Sequence, residues 1–453
     1  MSRDMIRLPH DAYRLLQTLR AAGHSAYVVG GCVRDSLLGR LPGDWDICTS
    51  ARAEEMMALF EDKRVIPTGI QHGTLTILAE DGAYEVTTFR IDGEYLDHRH
   101  PKSVAFTREL AEDLSRRDFT INAMAWHPER RLIDLFGGVE DLRDRLVRAV
   151  GDPVQRFNED GLRMLRMVRF ATVLDFDYDP ATYDAVRKQG HLLQYISKER
   201  IQVELNKILL AAHPARGLED LYTLGMYPYI IPMMCHTVGF AQRGGHHFLD
   251  VFEHSLLAVG VIAPELVLRL TMLLHDIGKP FVWDSSESLS YDRFDDHAAV
   301  SAKLAGKILR DLKYDNATRK DVVELIAHHN DILLPDPVNV RRALARLGEV
   351  QTRRLVQVKV ADLIAHDLAG EREKILALFA EISDVIDEVV ARGDCTSVKA
   401  LAIGGQDMMA LGLSGRAIGQ MLNAALELVL EKPEMNTRET LLNWVRGNLE
   451  NCQ

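Results

Sequence analysis

The pattern of apolar and polar positions divides the chain into a mixed first third and a helical remainder. Short apolar runs of strand length occur in the first third, as at residues 26–29. Residues 75–78 and 84–89 flank an Asp-Gly dipeptide at 81–82, which is typical of a tight hairpin turn. From Pro153 onward, helical periodicity dominates to the end of the chain.

This pattern predicts an α/β head, in which helices cover a mixed sheet, followed by an elongated all-α body. Domain boundaries are expected where glycine and proline interrupt the helical pattern. The predicted domains are a head at 1–150, a helical neck and body at 151–240, a further helical domain at 241–370 and a helical tail at 371–453.

The composition is that of a globular protein from a reducing compartment. Apolar residues make up 47% of the 453 residues, and no run of about 20 apolar residues predicts a membrane span. The first residues lack the apolar region of a secretory signal. The five cysteines form no CxxC or CxH pattern, so neither a disulfide framework nor a zinc finger is indicated. We therefore expect a cytoplasmic protein without a membrane partner.

The formal net charge of −12 by itself disfavours a nucleic-acid partner. Local basic clusters can nevertheless bind phosphates within an acidic protein. Arginines cluster at 116–117, 143–148 and 163–169. Composition therefore leaves nucleic-acid binding open, and particular motifs must decide it.

Two aspartates on a predicted strand form the first candidate site. Asp44 and Asp46 lie two residues apart, so both carboxylates would project from one face of the strand. Glu85, in the predicted hairpin, offers a third carboxylate. Such carboxylates can hold two Mg²⁺ ions, which bind the attacking and leaving oxygens of a phosphoryl or nucleotidyl transfer. The alternative is that the pair merely ends a solvated strand.

A Gly-Gly turn shortly before these aspartates makes the catalytic interpretation more specific. Gly30 and Gly31 would end a strand and begin a helix, which exposes backbone N–H groups to a phosphate. Arg34 adds positive charge. The alternative is an ordinary strand-to-helix turn with a surface arginine. The turn and the aspartate pair together are more specific than either alone.

These motifs resemble the class II tRNA nucleotidyltransferase and poly(A) polymerase family, a branch of the DNA polymerase beta superfamily. The resemblance begins at GGCVRDSLLGRLPGDWDI and covers roughly the first half of the chain. It continues, in the expected order, through EVTTFR, DGEYLDHRHP, EDLSRRDFTINAMA, NEDGLRMLRMVRF and ISKERIQVEL. It implies Mg²⁺ ions held by Asp44 and Asp46, with Glu85 as a third catalytic carboxylate.

The resemblance also implies the nucleotide contacts. The glycine turn and Arg34 would bind the triphosphate, and the Arg-Arg-Asp motif at 116–118 matches the family's ribose and phosphate motif. The implied nucleotide-binding residues are Gly30, Gly31, Arg34, Arg116, Arg117, Asp118, Asn122, Glu159, Asp160, Arg163 and Arg166.

Asp160 and Arg163 suggest a template for bases that is made of protein. The two residues lie three apart on a predicted helix and would share a face. Cytosine and adenine each present an amino donor beside a ring-nitrogen acceptor, which a carboxylate and a guanidinium complement. Uracil and guanine present the opposite pattern. The family's EDxxR motif matches EDGLR here and implies that Glu159 orients Arg163. The alternative is a simple ion pair within one helix.

The loop at residues 91–110 favours full addition of CCA to the 3′ end of tRNA from CTP and ATP. Members of the family that add only C are thought to lack this loop, and here it is intact and charged. The alternatives are a poly(A) polymerase or an enzyme that adds only CC or A. The loop itself could also be a plain surface excursion.

Histidines become dense beyond residue 240 and indicate a second metal site. His254, His275, Asp276 and Asp362 lie on or beside predicted helices. Imidazole and carboxylate donors suit a transition metal or a mixed binuclear centre. A lone histidine on an apolar helix is usually a packed core residue, but a series of this length is harder to explain in that way.

This second segment resembles the HD phosphohydrolase domain. His254, His275, Asp276 and Asp362 match its core ligands, and the ligands of a second metal would come from further histidines, which are His297 and either His328 or His329. The resemblance implies hydrolysis of a phosphoester, which would make the protein a metal-dependent phosphohydrolase with an RNA-binding head. The alternative is a helical scaffold for tRNA.

The expected partners are tRNA, CTP and ATP, and no obligate protein partner is inferred. The segment at 400–422 resembles the family's C-terminal tail and is expected to contact the tRNA elbow, although plain turns would explain its glycines equally well.

Overall fold

A computed structural model describes residues 6–93, 104–240, 249–283, 294, 296–366 and 371–449. The chain divides into two compact units, residues 1–232 and residues 233–453. Residues 94–103 of the predicted loop, with Arg99, His100 and Pro101, lie outside the described residues. Among the described residues, no helix has the length and apolar character needed to cross a membrane.

All of the described strands belong to the first unit. In chain order they are β1 (Ala26–Val29), β2 (Asp46–Thr49), β3 (Arg64–Gly69), β4 (Thr74–Leu78), β5 (Ala83–Thr88), β6 (Arg90–Asp92), β7 (Val104–Phe106), β8 (Met124–His127), β9 (Arg131–Asp134), β10 (Leu146–Val147) and β11 (Asp177–Tyr178).

Seven of these strands form one mixed sheet in the order β3-β4-β5-β2-β1-β8-β9. Strands β4 and β5 form the predicted antiparallel hairpin. Strand β2 runs antiparallel to β1 but parallel to β5. All four residues of β1 are buried, because the strand lies near the centre of the sheet with layers on both faces. Strand β2, which pairs with both β1 and β5, is therefore anchored to the buried centre of the sheet.

Helices cover the sheet and then build the rest of the first unit. They are α1 (His10–Ala21), α2 (Gly31–Leu37), α3 (Ala53–Leu59), α4 (Leu110–Ser115), α5 (Gly138–Asp144), α6 (Pro153–Glu159), α7 (Leu162–Leu174), α8 (Pro180–Gln189), α9 (Lys198–Leu209), α10 (Pro214–Thr223) and α11 (Tyr227–Ile230).

The second unit is helical throughout its described residues. Its helices are α12 (Val251–Val261), α13 (Leu266–Leu274), α14 (His297–Asp311), α15 (Asn316–His328), α16 (Pro337–Ala365), α17 (Arg372–Arg392), α18 (Gly405–Ala410), α19 (Arg416–Glu431) and α20 (Arg438–Gly447).

Asp-Pro dipeptides begin three of the helices. The Asp152, Asp179 and Asp336 side chains accept hydrogen bonds from backbone N–H groups in the first turns of α6, α8 and α16. Proline follows each aspartate at the first helical position, where its missing N–H costs nothing. These three interruptions of the helical pattern are therefore helix starts.

Apolar clusters among the described residues of the second unit include the following two. One lies between α16 and α17 and includes Val340, Phe379 and Ile382. The other joins α18, α19 and α20 and includes Met408 and Leu441. The predicted fold class, a mixed sheet with helices followed by a helical body, is confirmed.

Candidate active site and metal centre

Two carboxylates meet where β2 and β5 run side by side. Asp46 is paired in register with Glu85, so both side chains project from the same face of the sheet. Burial and the nearby Glu85 and Asp44 carboxylates raise the pKa of Asp46 above its ordinary value, against the opposing effect of Arg117. Negative charge is thus concentrated at a place that a divalent cation would stabilise.

The prediction that Asp44 lies on the strand is wrong. Strand β2 begins at Asp46, and its pairing with β1 reaches only from Thr49 to Ile47. The reason is that β1 turns away at Gly30, which removes the neighbour that would continue the ladder. Asp44 therefore approaches the site from the connection that precedes the strand.

Gly30 and Arg117 connect the glycine turn to the Arg-Arg-Asp motif. Gly30 has φ = 82°, and a Cβ there would lie 3.1 Å from Arg117 Nη1. A side chain would thus meet both backbone strain and the guanidinium. The Gly30 N–H also donates to the Met124 carbonyl of β8 at 3.1 Å. The turn is therefore fixed next to an arginine.

A chain of buried polar side chains runs from α2 to α7. Arg34 Nη1 donates to Asn122 Oδ1 at 2.6 Å, and Asn122 Nδ2 donates to Asp118 Oδ1 at 3.1 Å. Arg166 Nε donates to Asp118 Oδ2 at 2.8 Å. Although burial alone would raise it, the pKa of Asp118 is held well below its usual range by Arg166 and Asn122. Four of the implied nucleotide-binding residues thus form one connected network.

Asp113, which the sequence interpretation missed, holds the two arginines of the motif. Its buried carboxylate accepts hydrogen bonds from Arg116 Nη2 at 2.8 Å and from Arg117 Nη2 at 3.3 Å. Burial acts to raise the pKa of Asp113, but the two arginines outweigh it and lower the pKa. The spacing of three and four residues was a readable signal for such pairs at the end of α4.

Asp160 lies at a break between two helices and not on one helix as predicted. Helix α6 ends at Glu159 and α7 begins at Leu162. The Asp160 backbone is extended, with φ = −142°, and its side chain accepts a hydrogen bond from the Leu162 N–H at 3.1 Å. The aspartate thus satisfies a donor at the start of α7, which is how a helix break at Asp-Gly is stabilised.

Asp160 and Arg163 have separate partners, so the simple ion pair between them is absent. Arg163 Nη1 donates to Glu159 Oε2 at 2.6 Å, and Arg163 Nη2 donates to the Arg116 carbonyl at 2.9 Å. Arg200, on α9, donates to both Asp160 oxygens, at 3.2 and 2.7 Å. Each side chain is thereby held in a fixed orientation.

These side chains line one open pocket of about 250 Å³ in the first unit. Its walls are formed by Arg116, Arg117, Asp118, Asp160, Leu162, Arg163, Arg166 and Arg200. Arg200 was not singled out from the sequence, because 40 residues separate it from Asp160 and no local spacing indicates the pair. The pocket presents donors and ionised acceptors side by side, as recognition of a phosphorylated polar ligand requires.

The second unit brings four predicted ligands into one buried cluster. His254 Nε2 lies 3.2 Å from His275 Nε2, and Asp362 Oδ1 lies 2.9 and 3.2 Å from the two. Asp276 Oδ2 lies 3.8 and 3.3 Å from the same nitrogens. A metal with bonds of about 2.1 Å sets its ligands about 3.0–3.4 Å apart, so the spacing fits a single ion.

A second cluster shares Asp276 with the first. Its other oxygen, Oδ1, lies 3.3 Å from His297 Nε2 and 3.7 Å from His329 Nε2. The two nitrogens lie 3.3 Å apart. Asp276 Oδ1 is buried and makes no hydrogen bond. A buried, unsatisfied carboxylate oxygen among imidazoles is an arrangement that a cation would complete.

The structure brings His329, and not His328, into the second cluster. His328 Nδ1 instead lies 2.8 Å from Asp331 Oδ2, and its side chain is half-buried. Successive residues at the end of a helix point in directions about 100° apart, so only one of the two can face the cluster.

Hydrogen bonds to backbone carbonyls orient three of the imidazoles. His275 Nδ1 pairs with the Met272 carbonyl at 2.8 Å, and His297 Nδ1 and His329 Nδ1 pair with carbonyls at 2.8 and 2.7 Å. A proton on Nδ1 leaves the lone pair on Nε2, the nitrogen that faces each cluster. Burial acts to raise the pKa of both aspartates, but His275 and Lys279 hold the pKa of Asp276 well below its usual range, and hydrogen bonds with His254 and His275 do the same for the pKa of Asp362.

Three segments of the chain match known family models. Residues 26–148 match the poly A polymerase head domain, and residues 175–237 match a probable RNA and SrmB-binding site of polymerase A. Residues 244–367 match the HD domain. The fold and the sites together define a nucleotidyltransferase head followed by an HD domain.

Similar proteins narrow this class. The chain is 34% identical over 440 residues to the CCA-adding enzyme of Lactiplantibacillus plantarum, which covers 95% of this chain and 94% of that protein. It is 50% identical over 265 residues to the CCA-adding enzyme of Limosilactobacillus reuteri, which covers 58% of this chain and 64% of that protein's length. The protein therefore belongs to the family of CCA-adding enzymes.

A solved structure gives the same result for the fold. The CCA-adding enzyme of Bacillus stearothermophilus in complex with CTP aligns with a TM-score of 0.75 at 29% identity, over 97% of each chain. Membership of this nucleotidyltransferase family implies a reaction that depends on divalent metal ions.

Replacing Asp113 with alanine is expected to destabilise the first unit by about 3 kcal/mol, because Arg116 and Arg117 lose a buried counter-ion. The folded pKa of Asp113 lies below the unfolded value of about 3.9, so this contribution is present at neutral pH and declines as the pH falls through about 4. Urea denaturation at several pH values measures both effects.

The control is Asp144→Ala, which removes an exposed ion pair with Arg143 and should leave stability essentially unchanged. Equal stability of the two variants at pH 7 would contradict the role given to Asp113.

Proposed function

We propose that the protein adds CCA to the 3′ end of tRNA, using CTP and ATP and releasing pyrophosphate. The observation that carries this proposal is the position of Asp160 and Arg163 in one pocket with the Arg-Arg-Asp motif, in the same compact unit as the Asp46–Glu85 carboxylate pair. The names of the relatives support it. The proposed substrate places the activity in the cytoplasm.

Asp44 and Asp46 would hold two Mg²⁺ ions, with Glu85 as a third carboxylate beside them. Oxygen donors of this kind suit Mg²⁺, which is commonly bound by one or two carboxylates together with substrate phosphates. When bound, the ions supply positive charge to the attacking 3′ oxygen and the leaving pyrophosphate. Pairing of β2 with β5 fixes the Asp46 and Glu85 backbones in register, so the positions of two of the three carboxylates are set before a metal binds.

The arginines provide the remaining positive charge. Gly30 and Gly31 allow the triphosphate to approach the backbone, and Arg34 and Arg117 stand next to that turn. Asn122 donates a hydrogen bond to Asp118, and these two side chains would contact the ribose of the nucleotide. Because acidic partners hold several of these arginines, a phosphate would meet donors that are already oriented.

Asp160 and Arg163 would select the base. The carboxylate accepts from the amino group of cytosine or adenine, and the guanidinium donates to the ring nitrogen beside it. Asp160 keeps acceptor capacity after binding Arg200, since a carboxylate offers about four lone-pair sites. Uracil and guanine would place a carbonyl against the carboxylate and an N–H against the guanidinium, which leaves buried groups unpaired.

The proposed division of labour follows the predicted domains. The head at 1–150 carries the carboxylates, and the neck and body at 151–240 select the nucleotide and bind RNA. The tail at 371–453 would contact tRNA, and its separate apolar cluster around Met408 and Leu441 gives it a rigid shape for doing so.

The test of the main proposal is extension of tRNA transcripts that lack CCA, with CTP and ATP present. We expect three added nucleotides, and a loss of about a thousandfold in Asp46→Ala, because metal ligands supply several kcal/mol of transition-state stabilisation. Asp144→Ala, at an exposed position of α5, is the matched control and should keep full activity. Absence of extension would contradict the proposal. A run of A residues added from ATP alone would instead indicate a poly(A) polymerase.

Variants of the base pocket should alter base choice more than the transfer reaction. We expect Asp160→Ala and Arg163→Ala to reduce the preference for CTP and ATP over UTP and GTP by about a hundredfold. The exposed Arg143→Ala is the control. Single-nucleotide incorporation with each of the four triphosphates measures the ratio, and an equal loss with all four would count against selection by this pair.

The second unit supports a second activity, which we propose to be metal-dependent phosphoester hydrolysis. The specific observation is that Asp276 directs one oxygen to each of two imidazole clusters. Imidazole-rich donor sets favour transition metals over Mg²⁺. When bound, such metals activate water for attack on phosphorus. The alternative is a scaffold without hydrolytic activity.

The two activities should be separable. With Co²⁺, Ni²⁺ or Mn²⁺ and bis(p-nitrophenyl) phosphate, we expect hydrolysis that is lost in His275→Ala and retained in Asp46→Ala, because the two sites use different residues. His275→Ala should still extend tRNA. His328→Ala is the control, since His328 lies beside the second cluster but faces Asp331. Hydrolysis unaffected by His275→Ala would overturn the proposal, and no hydrolysis with any metal would support the scaffold.

A further inference from the structure

His366 lies against the first imidazole cluster but belongs to none of the motifs that led to that cluster. It follows the last residue of α16, four positions after Asp362. The two residues therefore project from the same side of the final helical turn. One ligand atom from each of His254, Asp362 and His366 can be chosen so that all three lie within 4.8 Å of one another. The His254 and His366 rings meet at a centroid distance of 4.6 Å.

The hydrogen bonding of His366 matches that of the predicted ligands. Its Nδ1 pairs with the Asp362 carbonyl at 2.7 Å, just as Nδ1 of His275, His297 and His329 pairs with a carbonyl of the preceding turn. This pattern places the proton on Nδ1 and the lone pair on Nε2. His328, which faces away from the clusters, instead pairs with the Asp331 carboxylate.

We propose that His366 is a fifth protein ligand of the first metal position, in addition to His254, His275, Asp276 and Asp362. The inference rests on the proposed metal centre and adds a ligand that the HD resemblance did not indicate. The spacing supports it, because two ligands four residues apart on a helix can bind the same ion.

The fifth ligand would make the two metal positions unequal. Five protein donors leave one position of an octahedral ion for water or substrate. The second position receives Asp276, His297 and His329, which leaves three positions open. A site with few open positions holds its metal firmly, whereas an open site binds water and substrate. The ion at the second position is therefore the one that would present the attacking water.

Cobalt binding tests the proposal without measuring activity. The full chain is stripped of metal and titrated with Co²⁺ against a competing chelator. We expect two tight sites from the imidazole clusters, distinct from weaker binding by the head carboxylates. His366→Ala should weaken the tighter of the two by about a hundredfold, at the upper end of the loss seen when groups that support a metal ligand are removed. His328→Ala should leave both affinities unchanged, and circular dichroism shows whether each variant is folded.

A direct measurement removes any dependence on the variant's folding. In crystals of the Co²⁺-loaded, unaltered chain, anomalous scattering should place an ion about 2.0–2.2 Å from His366 Nε2. An ion bound by His254 and Asp362 but more than about 3 Å from His366 would overturn this inference and leave the proposed metal centre intact. Absence of Co²⁺ binding, with Asp362→Ala indistinguishable from the unaltered chain, would overturn the proposed centre itself.

Discussion

Pairing of buried charges is the constraint on which the nucleotide pocket depends. A pocket that binds a triphosphate needs several arginines at close range, and these repel one another in the free protein. Here each is assigned a carboxylate: Asp113 holds Arg116 and Arg117, Glu159 holds Arg163, and Asp118 and Asp160 hold Arg166 and Arg200. The pairs make the pocket stable when empty and fix the geometry that a nucleotide would meet.

Local patterns were sufficient to predict several elements of the head, but not where those elements begin and end. The hairpin at 81–82 and the glycine turn were readable because each requires particular residues at particular positions. Asp44 was placed on a strand because the first residue of β2 is set by the point at which β1 turns away. That contact joins residues distant in the sequence, so local spacing does not report it. Asp160 was placed within a helix because apolar periodicity continues across the break, although Asp-Gly marks it.

Long-range pairing explains what remained hidden in the site. Arg200 meets Asp160 only because α9 packs against α7, and no spacing in the sequence reports that contact. The choice between His328 and His329 depends on the rotation of α15 about its axis. The donor types of both candidate sites were readable from the sequence, which are carboxylates in the head and imidazoles with carboxylates in the second unit. Only the three-dimensional structure shows which donor atoms of these residues lie close to one another.

The close approach of Arg117 to Gly30 also has an evolutionary consequence. A methyl group at position 30 would need the backbone to keep φ = 82° and the guanidinium to move from 3.1 Å. Relief of one problem does not relieve the other, so a smaller side chain at 117 cannot rescue a substitution at 30. The two positions are thus coupled in one direction only: a shorter side chain at 117 puts no strain on Gly30, whereas a side chain at 30 keeps its backbone cost whichever residue occupies position 117.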